Sequence, residues 1–98
     1  MKKESEFQSR LIKDIKTKYP ESIVLKNDPR YLQGVPDLII LNGPRWAALE
    51  CKRTESSTKR PNQDYYVEKM NKMSFARFVC PKNKEAVLDA MDKAFKNI

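Results

Sequence analysis

Two short apolar runs, DLIIL (37–41) and WAALECK (46–52), are joined by NGPR, and no other stretch restricts the fold as tightly. The Gly43-Pro44 centre marks a tight turn, so the two runs read as the strands of a hairpin. Side chains on a strand alternate between faces. In the second run Trp46, Ala48, Glu50 and Lys52 share one face, while Ala47, Leu49 and Cys51 share the other. Both faces are apolar until Glu50, the pattern of a central strand covered on both sides.

The remaining chain supplies the covering. Phe7, Leu11, Ile12 and Ile15 recur at three- and four-residue spacing and predict a helix from Glu4 to about Lys18, closed by Pro20. Residues 22–26 (SIVLK) read as a strand and residues 27–34 as a turn-rich loop. Residues 53–60 (RTESSTKR) are polar and aperiodic, again a loop. Pro61 suits the start of a second helix with Tyr66, Met70 and Met73 on one face. Residues 75–79 form a fourth strand, and Ala86, Val87, Ala90, Met91, Ala94 and Phe95 stripe a last helix. Ninety-eight residues make one domain, residues 1–98, with one core. The expected fold is therefore α/β: a mixed central sheet with helices on both faces, in the order α-β-β-β-α-β-α.

Register carries the first chemical hint. If the hairpin turns symmetrically about Gly43-Pro44, paired residue numbers sum to 87, and Asp37 falls opposite Glu50. Directly opposed side chains have Cβ atoms about 4.5–5.5 Å apart. Two carboxylates so close repel, and one is pushed toward its protonated state. A hard divalent cation between them, Mg²⁺ or Mn²⁺, removes the conflict. Lys52 lies two residues beyond Glu50 on the same face. It can stabilise the charge that develops when water attacks phosphorus, or act as a base if its pKa is depressed; the sequence leaves both roles open. The competing reading is a frayed strand end with both charges simply solvated.

Lys and Arg total 20 against 13 Asp and Glu, a net charge of +7 that favours a polyanionic partner, nucleic acid first. Histidine is absent, so a general base must be a carboxylate, a lysine, a tyrosine or water activated by a metal. Cys51 and Cys80 read as buried reduced thiols, too few for a zinc site. The first ten residues lack the apolar segment of a signal peptide, and no run is long enough to cross a bilayer, so an intracellular protein is expected.

Gly34-Val35-Pro36-Asp37, followed by Glu50-Cys51-Lys52, resembles the active-site pattern of the PD-(D/E)XK nuclease superfamily. The order of elements is most similar to its VRR-NUC family, in the small stand-alone form of phages and other viruses, and the resemblance covers nearly the whole chain. It implies a restriction-endonuclease-like fold and Mg²⁺- or Mn²⁺-dependent hydrolysis of DNA phosphodiesters, on branched DNA such as Holliday junctions or flaps, by a homodimer. On this resemblance Asp37 and Glu50 hold the metal, with the carbonyl of Cys51 as a third ligand, and Lys52 positions or activates the nucleophile. It also points to a Glu on the first helix. Glu4, in the pattern Glu4-Ser5-Glu6-Phe7-Gln8, fits better than Glu6, although Glu in a first helical turn also serves the helix dipole. Gln63 matches a Gln carried on the helix after Glu-x-Lys.

Lys26 and Arg30, in a loop with Asn27, Asp28 and Tyr31, are candidates to hold a phosphate, with Tyr31 able to stack a base; turn chemistry of Asn-Asp-Pro is the plainer reading. Arg53, Lys59 and Arg60 are candidates to track DNA backbone at the mouth of the site. Two alternatives share the charge and the fold: a non-catalytic nucleic-acid-binding module derived from a nuclease, and a basic scaffold whose Tyr66, Met70 and Met73 face a protein partner. The apolar surfaces of the second and last helices are the expected contact surfaces.

Overall fold

The computed structural model describes residues 4–28 and 30–96, with Glu4 described in its backbone alone. The elements run α1 (Glu4–Lys18), β1 (Ile23–Lys26), β2 (Leu38–Asn42), β3 (Arg45–Cys51), α2 (Gln63–Met73), β4 (Ala76–Val79) and α3 (Lys84–Lys96). The strands lie side by side in the order β1-β2-β3-β4. β1, β2 and β3 pair antiparallel, and β4 joins β3 in parallel, as a strand reached through a helical crossover does.

The hairpin register is the expected one. Leu38 pairs with Leu49, Ile39 with Ala48, Ile40 with Ala47, Leu41 with Trp46, and Asn42 with Arg45. Gly43 takes a φ of +63° at the first central position of the turn, the positive φ that a type II′ hairpin turn needs there. The two faces of β3 then meet different helices. Ala47, Leu49 and Cys51 join Phe7, Leu11 and Ile15 of α1 and Val87, Leu88 and Met91 of α3 in the main core. On the opposite face Ala48 and Ala76 pack against Val67 of α2 in a smaller cluster. The sheet therefore has α1 and α3 on one side and α2 on the other.

Several boundaries and faces differ from the expectation. β1 starts at Ile23, because the backbone N–H and hydroxyl of Ser22 both turn back to the Tyr19 carbonyl, at 3.0 and 2.7 Å. α2 starts at Gln63 rather than at Pro61: Asn62 has a φ of +73°, a left-handed conformation that cannot continue a right-handed helix. Its buried face is Gln63 and Val67 with Met70 partly covered, and Met73 is 68% exposed. On α3, Leu88 is buried where Ala86 was expected, and Ala86 faces solvent. α2 packs on β3 and β4. The β1–β2 end of that sheet face keeps Ile23, Leu25 and Leu41 exposed, so exposed apolar residues gather on the sheet as well as on the helices. Among the described residues no helix is long and apolar enough to cross a membrane.

Candidate active site

The α2 side of the sheet changes character at its carboxyl end. Ala48 sits under α2, but the next residue on that face is Glu50 and the one after is Lys52. Both are buried, and so is Gln63 at the first turn of α2. These are the only buried polar or charged side chains among the described residues, and they are in contact with one another. The reading of a frayed, solvated strand end is thereby excluded: Glu50 retains 3% of its surface and Lys52 9%.

Gln63 is the joint. Its amide nitrogen donates to Glu50 Oε2 at 2.9 Å, and its amide oxygen accepts from Lys52 Nζ at 2.7 Å and from the Arg60 backbone N–H at 2.9 Å. Lys52 Nζ also donates to the Thr58 carbonyl at 3.3 Å. The backbone of Lys52 is fixed by its own N–H, which donates to the Val79 carbonyl at 2.8 Å and extends the β3–β4 ladder one step past the strand. An isolated buried ammonium is costly unless hydrogen-bonded, and these carbonyl and amide oxygens meet that need.

Asp37 enters from the other strand. It lies one residue before β2, and the register of 87 carried one step further sets it opposite Glu50. Two hydrogen bonds close the pair: the Asp37 N–H donates to Glu50 Oε1 at 3.2 Å, and the Cys51 N–H donates to Asp37 Oδ2 at 2.9 Å. Burial pushes the Asp37 carboxyl above the usual carboxylate range. The Cys51 N–H, a hydrogen bond with Glu50, and the charges of Lys52 and Arg60 pull it the other way without prevailing. A raised pKa is what the opposed carboxylates lead one to expect, but the larger cause is desolvation rather than mutual repulsion.

A cavity of about 250 Å³ opens over this group, lined by Asp37, Glu50, Lys52, Gln63, Arg60 and Val35, with Ser5 and Gln8 from α1. Ser5 and Gln8 are three residues apart on one helical face, so the first turn of α1 borders the site. The Glu4 side chain lies outside the described residues. Glu6 is exposed and does not line the cavity. Of the cationic candidates only Arg60 lines it. Arg53 is exposed. Lys59 pairs with Asp64 at 3.3 Å and stands 4.4 Å from the centre of the Phe78 ring. Lys26 borders a separate hollow. Arg30 is gripped by Asp28 in a two-pronged pair, Nε to Oδ1 and Nη2 to Oδ2, each at 3.0 Å. Sequence reasoning did not find Ser5, Val35 or the Thr58 carbonyl. Only Ser5 left a signal, its spacing from Gln8.

Two carboxylates facing one cavity fit a hard divalent cation, which takes one or two carboxylates and fills its shell with water. No group of three or more His, Cys, Asp or Glu side chains gathers among the described residues, so the other oxygens would come from backbone or water. Cys51 and Cys80 are buried and not disulfide-bonded, and the Cys51 side chain belongs to the core on the far face of β3. Comparison of the chain with protein-family models and with curated proteins finds no match.

Proposed function

We propose that this chain is a metal-dependent DNA endonuclease of restriction-endonuclease-like fold, a member of the PD-(D/E)XK superfamily close to the VRR-NUC family. The observation that carries the reading is the burial of Glu50, Lys52 and Gln63 as one hydrogen-bonded cluster beside Asp37, inside a cavity on a protein of net charge +7. A small fold gains little stability from buried ionic groups, so their concentration at one place speaks for chemistry.

In this reading Asp37 and Glu50, with the carbonyl of Cys51, hold Mg²⁺ or Mn²⁺. The ion, when bound, supplies Lewis acidity and makes water a better nucleophile. Lys52 presents its ammonium to the scissile phosphate and stabilises the charge that builds on its oxygens in in-line attack. Gln63 fixes the direction of both Lys52 and Glu50. Glu4, by its place in the first turn of α1, remains the proposed additional carboxylate. Arg60 at the cavity wall and Arg53, Lys59, Lys26 and Arg30 around it receive the DNA backbone. Branched DNA, a Holliday junction or a flap, is the proposed substrate. Because one chain carries one such cavity and cutting both strands takes two, the reading includes a homodimer. The apolar surfaces of α2 and α3 remain the proposed contact surfaces, and the exposed Ile23, Leu25 and Leu41 of the β1–β2 face add a further one.

The test is incubation of the purified protein with labelled four-way junction, flap and linear duplex in Mg²⁺, Mn²⁺ or EDTA, with Asp37→Asn and Lys52→Ala alongside. Cleavage should require the metal and drop at least about 10²-fold in each variant, and sedimentation of the same preparation should return a dimer. Metal-independent binding of DNA by all three proteins with no cleavage would replace the enzyme by a non-catalytic binding module.

A further inference from the structure

Tyr31 is 90% exposed, more than any other large apolar side chain among the described residues, and its neighbour Leu32 is 44% exposed. An aromatic ring left in water gains nothing from the hydrophobic effect. Two backbone N–H groups beside it are hydrogen-bonded to Asp28. The Tyr31 N–H donates to the Asp28 carbonyl at 3.1 Å, and the Arg30 N–H donates to Asp28 Oδ1 at 2.9 Å. Asn27 is tied to the candidate active site: its N–H donates to the Asp37 carbonyl at 2.8 Å, and its Nδ2 donates to the Pro36 carbonyl at 2.6 Å. Beside the ring lies a hollow of about 360 Å³ lined by Lys26, Asn27, Asp28, Tyr31, Leu32 and Val35. Val35 also lines the cavity of Asp37, Glu50 and Lys52, so the two spaces share a wall.

We infer that Tyr31, with Leu32 and Lys26 on the wall of the same hollow, seats one unpaired nucleobase next to the scissile phosphate that Lys52 faces. The inference rests on the nuclease reading and narrows its substrate. Every nucleobase offers a π-face, so an aromatic platform accepts any sequence, but only where the base has left its stack. Lys26 supplies a cation for the adjoining phosphate. A continuous duplex keeps its bases inside and cannot fill the hollow; a flap, a gap or the crossover of a branch can. The seat thus selects nucleic acid with an unpaired base flanking the scissile bond.

The experiment is equilibrium binding by the full chain in EDTA, so that no cutting occurs, followed by fluorescence anisotropy on three labelled DNAs: a single strand, a flap and a perfect duplex. Tyr31→Ala should weaken single-strand and flap binding by at least about 5-fold and leave duplex binding within about 2-fold. Tyr31→Phe should retain wild-type affinity, and Tyr31→Leu should behave like the alanine variant. A 2-aminopurine placed at the unpaired position should be quenched by the wild type and not by Tyr31→Ala. Equal losses on all three DNAs, full binding by Tyr31→Leu, or no effect of Tyr31→Ala in a protein that still binds and cuts DNA would overturn the seat alone. A wild-type chain that binds none of the three in EDTA and cuts none of them in Mg²⁺ or Mn²⁺ overturns the seat together with the nuclease reading beneath it.

Discussion

Asp37 is a carboxyl that the fold holds at a cost. Burial raises its pKa, so between the ordinary carboxyl value near 4 and the raised folded value the native state binds more protons than the unfolded chain. Stability therefore falls as pH rises through that window, and above it the full penalty is present. Asparagine removes the charge and keeps the contacts: its Oδ1 can accept the Cys51 N–H, and its Nδ2 can donate to Glu50. Without divalent metal, Asp37→Asn should raise the melting temperature at pH 7 by a few degrees, and the gain should shrink toward zero as pH falls below about 4. Adding Mg²⁺ should raise the melting temperature of the wild type and leave the variant where it was. Thermal melts over pH and metal check both halves, and a variant less stable than wild type at pH 7 would show that Asp37 is structural. Its position opposite Glu50 followed from the two-residue turn, because a Gly-Pro centre leaves one register. Its surroundings did not follow, because the groups that share its cavity include Ser5 and Gln8 of α1, Val35, and Arg60 and Gln63 from beyond the next loop. No local pattern reports such contacts.

At the level of elements, the loop before Asp37 and the start of α2 are joined back to back. Gly34 has a φ of +96°, and a Cβ there would meet Asn62 Cβ at 2.6 Å and the Asn62 carbonyl carbon at 2.8 Å. Asn62 is itself left-handed and immediately precedes Gln63. The close approach thus falls at the residue that precedes α2 and Gln63. Gly34→Ala combines a left-handed strain with a collision against backbone, and should destabilise by about 2 kcal/mol or more. Asn62→Gly removes only the Cβ half of the collision, so it should be near neutral alone and should rescue Gly34→Ala in part. Denaturant unfolding of the two single variants and the double variant checks the coupling; additive effects would mean the elements are independent. The start of α2 is also where the sequence misled. A stripe of Tyr66, Met70 and Met73 has a helical period, but the true inward face is led by Gln63. A buried glutamine at a helix start breaks the apolar rhythm that betrays a face, and only the resemblance pointed to it. α1 was plainly legible because all its inward residues are apolar.

Over the whole molecule the excess positive charge is unevenly free. Arg30 is matched by Asp28, and Lys59 by Asp64. Lys26, Arg53 and Arg60 are exposed and form no ion pair among the described residues, and Arg60 borders the cavity. Sequence totals convey the sign of the charge but not this partition, since the pairs depend on which carboxylate lies beside Arg30 and Lys59 in space rather than on composition. Phosphate contacts release counterions, and each contributes roughly 0.9 to the slope of log affinity against log salt on duplex DNA. Of the slope of the wild type, the three unpaired candidates Lys26, Arg53 and Arg60 account for about −3. Arg53→Ala should weaken binding to all DNA shapes alike and flatten the slope by about 1. Asp28→Asn should act oppositely: it releases Arg30 to the phosphates, tightens binding and steepens the slope, because a solvent-exposed pair is weakly held and opens readily toward a stronger anion. Titrations between 50 and 200 mM salt separate the cases, and a slope unchanged in both variants would place the DNA path on another face of the protein.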